Sequence, residues 1–159
     1  MAENPDRAES RLAQCGYVLP SPPAAGGNYV SARRVGSMLY LAGAISSDAS
    51  GVMSGTIGLD RTLDEGYIAA RQCALAQLAV IRREAGSLDA VEAVVSVNGY
   101  VNAVAGFGDS PKVLNGASDL LVEIFGEAGR HVRAAVGVAS LPRNAMVEVQ
   151  MIVLLREGS

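Results

Sequence analysis

The 159-residue chain contains no tryptophan, one histidine, one lysine and two cysteines, and each shortage removes a class of chemistry. Cys15 and Cys73 cannot form a disulfide framework. With His131 as the single imidazole, no Cys/His set exists to close a tetrahedral zinc site, so no structural metal is expected. Of the thirteen basic residues only Lys112 is a lysine, which leaves a Schiff-base mechanism one candidate nucleophile. Aromatic residues make up 4%, too few to offer stacking platforms for bases or sugar rings. A net charge of -3 gives no long-range attraction to a polyanion, so nucleic acid is not an expected partner. Apolar runs such as residues 38–45 are too short to cross a bilayer, and the opening MAENPDRAES has no apolar secretion-signal core. A soluble, reduced, cytoplasmic protein without membrane contact is expected.

What is present is half hydrophobic and 18% charged, the balance of one compact domain with a core. Asn4-Pro5 signals a helix start, Ala8, Leu12 and Cys15 share a face, and Gly16 can end the segment. Residues 19–28, LPSPPAAGGN, form a loop. Strands are expected over 29–35 and 37–45, with turn chemistry at 46–51 and another short strand from Val52. Thr62-Leu63-Asp64-Glu65 is a capping box opening a long helix with a stripe of Tyr67, Ala70, Ala74, Leu78 and Ile81, closed by Gly86. A buried strand over 91–101 follows. A second helix then opens with Ser110 as cap and Pro111 in its first turn, and ends at Gly126 before two final strands. The order predicts an α+β fold, a single mixed β-sheet with two helices packed on one face.

The closing strands carry the candidate chemistry. Alternation puts Val147, Val149, Met151, Val153 and Leu155 on one face and Met146, Glu148, Gln150 and Ile152 on the other. In the preceding strand Val132, Ala134, Val136 and Val138 read as the core set, which sends His131, Arg133, Ala135 and Gly137 to the face shared with Glu148. A guanidinium can grip a carboxylate through two parallel hydrogen bonds, and a carboxylate can orient or deprotonate water. The bland alternative is a salt bridge, solvated or between subunits. If the two strands paired as a hairpin around Leu141-Pro142-Arg143-Asn144, Arg133 would lie roughly 13 Å out of register with Glu148. Either the pairing differs or an interface completes the site. Cys73 reads as core, His131 as equally a structural group or one that tunes the cleft, and Gly106-Phe107-Gly108 as a turn rather than a phosphate loop.

Residues 129–153, GRHVRAAVGVASLPRNAMVEVQMIV, resemble the closing signature of the Rid family, also called YjgF or endoribonuclease L-PSP, which includes the RidA-type reactive intermediate deaminases. Gly27-Asn28-Tyr29 resembles its early Gly-x-Tyr motif, Leu41-Ala42-Gly43-Ala44-Ile45 its Gly-x-Ile strand, and Val113-Leu114-Asn115 its second-helix Asn. The likeness spans residues 24–156, leaving 1–23 as an N-terminal extension, a short helix and Pro-rich loop, before a Rid/YjgF-like domain at 24–159. It implies a chorismate-mutase-like fold assembled as a homotrimer with inter-subunit clefts and outward helices. It also implies hydrolysis of enamine or imine intermediates, 2-imino acids released by pyridoxal-phosphate enzymes, to 2-keto acids and ammonia without a metal or cofactor. By position Arg133 would hold the substrate carboxylate and Glu148 position water. Tyr29, Gly43 and Asn115 would line the cleft, with Ala135 adding backbone contacts. Ala135 and Gln150 stand where the archetypal deaminases have Cys and a second Glu, and the loop at 98–109 differs from theirs. The chain therefore looks closer to a less characterised branch, and a non-catalytic module binding a small carboxylate such as a 2-keto acid is the alternative function. Ribonuclease action, an older description of relatives, has little support from the acidic charge and lone His131.

Overall fold

A computed structural model describes residues 7–158. Its elements run α1 (Ala8–Gln14), β1 (Ala32–Val35), β2 (Met38–Leu41), β3 (Ala44–Ile45), β4 (Ser47–Asp48), β5 (Gly51–Val52), α2 (Leu63–Ala85), β6 (Val91–Asn102), α3 (Ser110–Phe125), β7 (Val132–Val138) and β8 (Val147–Leu155). The main sheet has the order β1-β2-β8-β6-β7, with β3 also on β8, while β4 and β5 form a separate hairpin. All main-sheet pairs are antiparallel except β6–β7, which is parallel. That exception follows from connectivity, because β6-α3-β7 is a crossover unit whose helix returns the chain to the start of the neighbouring strand.

Helices α2 and α3 pack against each other and cover one face of the sheet, α2 over β8 and α3 over β6 and β7. The expected mixed sheet with two helices on one face is therefore present, with the short α1 added against α3. Thr62 and Glu65 close the capping box at the start of α2, Thr62 Oγ1 accepting from Glu65 N at 3.1 Å and Glu65 Oε2 accepting from Thr62 N at 2.8 Å. Such caps contribute about 1 kcal/mol. Gly116 lets α3 approach α2 so closely that a Cβ there would overlap the Tyr67 carbonyl. The core between helices and sheet includes Leu78, Ile81, Leu114, Leu121, Val149 and Met151, and Ala8 and Leu12 of α1 join it.

Several boundaries differ from the sequence expectations. Asn4 and Pro5 lie outside the described residues, and Arg7 stands at the N-cap position of α1 without a side-chain cap bond. The first sheet strand starts at Ala32 rather than at residue 29, and the run over 37–45 breaks at Ala42-Gly43 into β2 and β3. Asp109, not Ser110, is the cap residue of α3, and Ser110 is its buried first residue. Gly106, at φ 83, takes the expected turn.

Strand β7 departs furthest from expectation. Register pairs Val97 with both Met151 and Arg133, and Tyr100 with both Glu148 and Val136. Directly opposed residues share a face. Arg133 therefore lies on the helix side with Val97, whereas Val136 lies on the open side with Glu148. The two candidate residues do not share a face. Val132 and Val136, read as core, are 70% and 47% exposed on the open side. Valine marks the apolar face correctly, but among the described residues that face has no covering layer.

Candidate functional site

The first half of the site is built around Glu148. On β8 it stands between Tyr100 of β6 and Ile45 of β3 on the open face of the sheet. The chain breaks at Ala42-Gly43 because buried Gln77 of α2 reaches through, donating to the Ala42 carbonyl at 2.9 Å and the Val149 carbonyl at 2.7 Å. Gly43 is left beneath the carboxylate, and a Cβ there would overlap Glu148 Oε1. Tyr29 stands over the loop, its hydroxyl accepting from Gly26 N at 2.9 Å. Tyr29, Gly43, Ser47, Pro142, Arg143 and Glu148 line a cavity of about 610 Å³. Burial pushes the Glu148 carboxyl above its ordinary value of 4.5. A carboxylate in that state is more basic than one in water and suited to taking a proton from a bound water.

The second half is built around Arg133 on the helix side of edge strand β7. Its Nη1 donates to Asn115 Oδ1 at 2.9 Å and Ser118 Oγ at 3.1 Å, and its Nη2 to the Pro111 carbonyl at 3.3 Å, all on α3. The guanidinium is thereby fixed while remaining exposed. His131 extends the chain of bonds: Nδ1 donates to the Gly129 carbonyl at 2.7 Å, and Nε2 lies 2.9 Å from Ser118 Oγ. With Nδ1 carrying the proton, Nε2 accepts from Ser118, which in turn accepts from Arg133. The bonds close with a neutral imidazole, and burial, with the Arg133 charge adding to it, holds His131 below its ordinary value of 6.5. Ala135, half-buried against the core, lies two residues along β7, whose outer edge has no strand partner among the described residues.

The structure thus gathers Tyr29, Gly43 and Glu148 on one side, and Arg133, Asn115 and Ala135 on the other. Strand β6 lies between β7 and β8, and the two charged groups face opposite ways. Gln77, Ser118 and Arg143 escaped the sequence reading. Gln77 sits in a helix stretch that reads as core, and Ser118 falls within the α3 interior. Only the helical spacing from Asn115 to Ser118, i to i+3, offered a signal. Cys73 is fully buried with Sγ 3.5 Å from the Val147 carbonyl, and burial drives its thiol up, so it is core. Among the described residues no helix is long and apolar enough to cross a membrane.

Comparison with known proteins gives a consistent picture. A family model described as "YjgF/chorismate mutase-like, putative endoribonuclease" matches residues 9–155. Protein TCP17 of Trypanosoma cruzi is 42% identical over 151 residues, 94% of each chain. A Shewanella oneidensis crystal structure carrying the same endoribonuclease wording is 37% identical, covers 94% of this chain and 99% of its own, and superposes with a TM-score of 0.90. RidA from an Antarctic Psychrobacter is 27% identical, covers 85% of this chain and 94% of its own, and gives 0.58. The two solved structures share the fold, and the backbone follows the Shewanella protein more closely than it follows RidA.

Proposed function

The chain belongs to the YjgF/chorismate mutase-like family, and on that premise we propose that it hydrolyses small 2-imino acids, or the enamines that tautomerise to them, to 2-keto acids and ammonia in clefts between copies of itself. The observation that carries this reading is that each half-site is preorganised yet incomplete: Arg133 is a fixed, exposed fork and Glu148 a desolvated carboxylate beside open space. A homotrimer that buries the open sheet face, with Tyr40, Val132 and Val136, would bring Arg133, Asn115 and Ala135 of one copy to Tyr29, Gly43 and Glu148 of the next.

The chemistry asks little of the protein. Arg133 holds the substrate carboxylate through two hydrogen bonds. Glu148 takes a proton from water as it adds to the protonated imine carbon, returns that proton to nitrogen, and accepts the hydroxyl proton as the carbinolamine collapses to the keto acid and ammonia leaves. The imine carbon is already electrophilic, so orientation of carboxylate and water supplies most of the acceleration, and no residue forms a covalent intermediate. Pyridoxal-phosphate enzymes, which release such intermediates in the cytoplasm, are the functional neighbours this reading implies. His131, the only imidazole, is bonded on both nitrogens, and the net charge is -3, which favours small-molecule chemistry over RNA cleavage.

The test is imine loss during amino-acid oxidase turnover, followed by semicarbazide trapping. The expected result is that the wild-type protein lowers the trapped fraction for at least one amino acid. The second reading, a keto-acid-binding module without turnover, is favoured by Gln150, which lies beside Glu148 where a second carboxylate would otherwise stand. It predicts unaltered trapping with measurable heat of keto-acid binding.

Gly43→Ala provides a sharper check on the Glu148 half. The added methyl must push the carboxylate aside, and a displacement of that kind costs on the order of 100-fold in kcat/KM. Unchanged far-UV dichroism with that loss is the expected outcome; near-normal turnover would remove the Glu148–Gly43 stack from the mechanism.

A further inference from the structure

Arg143 belongs to no part of the machinery above, yet it lines the same cavity as Glu148. The loop that delivers it runs through two consecutive left-handed residues that are not glycine, Arg143 at φ 55 and Asn144 at φ 57. That backbone state is tolerated by asparagine but is strained for arginine. The conformation is imposed by neighbours: buried Asn102 donates through Nδ2 to Asn144 Oδ1 at 3.1 Å and to the Ala145 carbonyl at 3.2 Å, and Gly55 N donates to the Asn144 carbonyl at 2.9 Å. Glycine at position 143 would make the same turn without that cost. Strain retained beside a cleft points to a use for the side chain.

Among the described residues the Arg143 guanidinium has no hydrogen-bond or ion-pair partner, and neither has the Glu148 carboxylate. The two line one cavity without pairing with each other. At about 610 Å³ that cavity falls in the range of sites for drug-sized ligands. An exposed arginine lining the cavity without a partner matches one kind of group best, a second carboxylate gripped by its planar fork.

We propose that Arg143 binds a distal carboxylate of the substrate, so that the cleft prefers dicarboxylic 2-imino or 2-keto acids over monocarboxylic ones. This rests on the proposed cleft, in which Arg133 takes the carboxylate next to the reacting carbon and Glu148 faces that carbon. The reaction supplying such a substrate would be oxidation or elimination acting on an acidic amino acid.

The test is calorimetric binding of 2-oxoglutarate and 2-oxobutanoate to wild type, Arg143→Asn, Arg143→Lys and Arg133→Ala, with imine hydrolysis measured alongside. Asparagine is the neutral choice because it tolerates the left-handed backbone. Wild type is expected to bind 2-oxoglutarate at least about tenfold more tightly, a preference that Arg143→Asn abolishes and Arg143→Lys partly keeps. Affinity for 2-oxobutanoate should stay within about threefold in both Arg143 variants, whereas Arg133→Ala weakens both ligands. No wild-type preference, or a preference that survives Arg143→Asn, overturns the assignment of Arg143. If in that case monocarboxylic imines are still hydrolysed with dependence on Arg133, the hydrolase reading stands alone. If neither ligand binds and no imine is hydrolysed, both fall.

Discussion

Mixing Arg133→Ala subunits with Glu148→Gln subunits, unfolded together and refolded, is expected to recover about a quarter of wild-type activity from two nearly inactive parents. The figure follows from the opposite faces of the two residues. If each cleft takes Arg133 from one copy and Glu148 from the next, every mixed trimer retains one intact cleft of its three. Random assembly from equal amounts makes three quarters of the trimers mixed. Each parent alone should lose at least about 100-fold in kcat/KM, Arg133→Ala through the lost carboxylate grip and Glu148→Gln through the lost base. Arg133→Lys should rescue only in part, since an ammonium cannot reproduce the fork held by Asn115, Ser118 and the Pro111 carbonyl. Mixed trimers verified by native mass spectrometry, yet as inactive as either parent, would mean that no cleft combines the two residues across copies.

Glu148→Gln should also make the separated chain more stable at neutral pH, while it destroys the activity of the assembly. Burial raises the Glu148 carboxyl above its ordinary 4.5, with no cationic partner among the described residues to offset the cost. A group with a raised folded-state value binds its proton more tightly folded than unfolded. Its stabilising contribution is therefore complete below 4.5 and is lost as pH rises through the folded-state value. Glutamine keeps the shape and never ionises. The melting temperature of the variant should exceed that of wild type at pH 8, and the gap should shrink towards pH 4. A variant less stable than wild type at pH 8 would show that the carboxylate is paired rather than merely desolvated. His131 works in the other direction. Its value is held below 6.5, so its stabilising contribution is present above 6.5 and is lost as pH falls through the lower folded-state value, and acid weakens the hold on Arg133 from that side.

How much of this was legible in the chain depends on whether the relevant partner lies within it. The Thr62–Glu65 box, Gly86 and Gly126 marked helix ends from local chemistry, and the alternation of β8 placed Glu148 on the open face, because that strand packs on α2 of the same chain. The phase of β7 is not legible from hydrophobicity, because Val132 and Val136 lie on a face that no layer covers among the described residues. The pairing of β7 was open to reasoning: a strand, helix and strand in succession favour a parallel crossover, and the short Leu141–Asn144 link only imitates a hairpin. Gln77 and Arg143 were invisible for a different reason. One is a polar residue amid helix core, the other a turn residue in an unfavourable backbone state, and only coordinates say what either reaches.

Strand β7 carries Arg133 on one side and Val132 and Val136 on the other. In the proposed assembly this makes protein abundance itself a control on chemistry. Dilution below the association threshold uncovers the valines and, in the same separation, parts each guanidinium from its carboxylate, so specific activity rises steeply with expression level instead of staying constant. A polar residue at position 136, remote from any reacting atom, would shift that threshold upward and silence a sparsely expressed enzyme while leaving every individual chain folded.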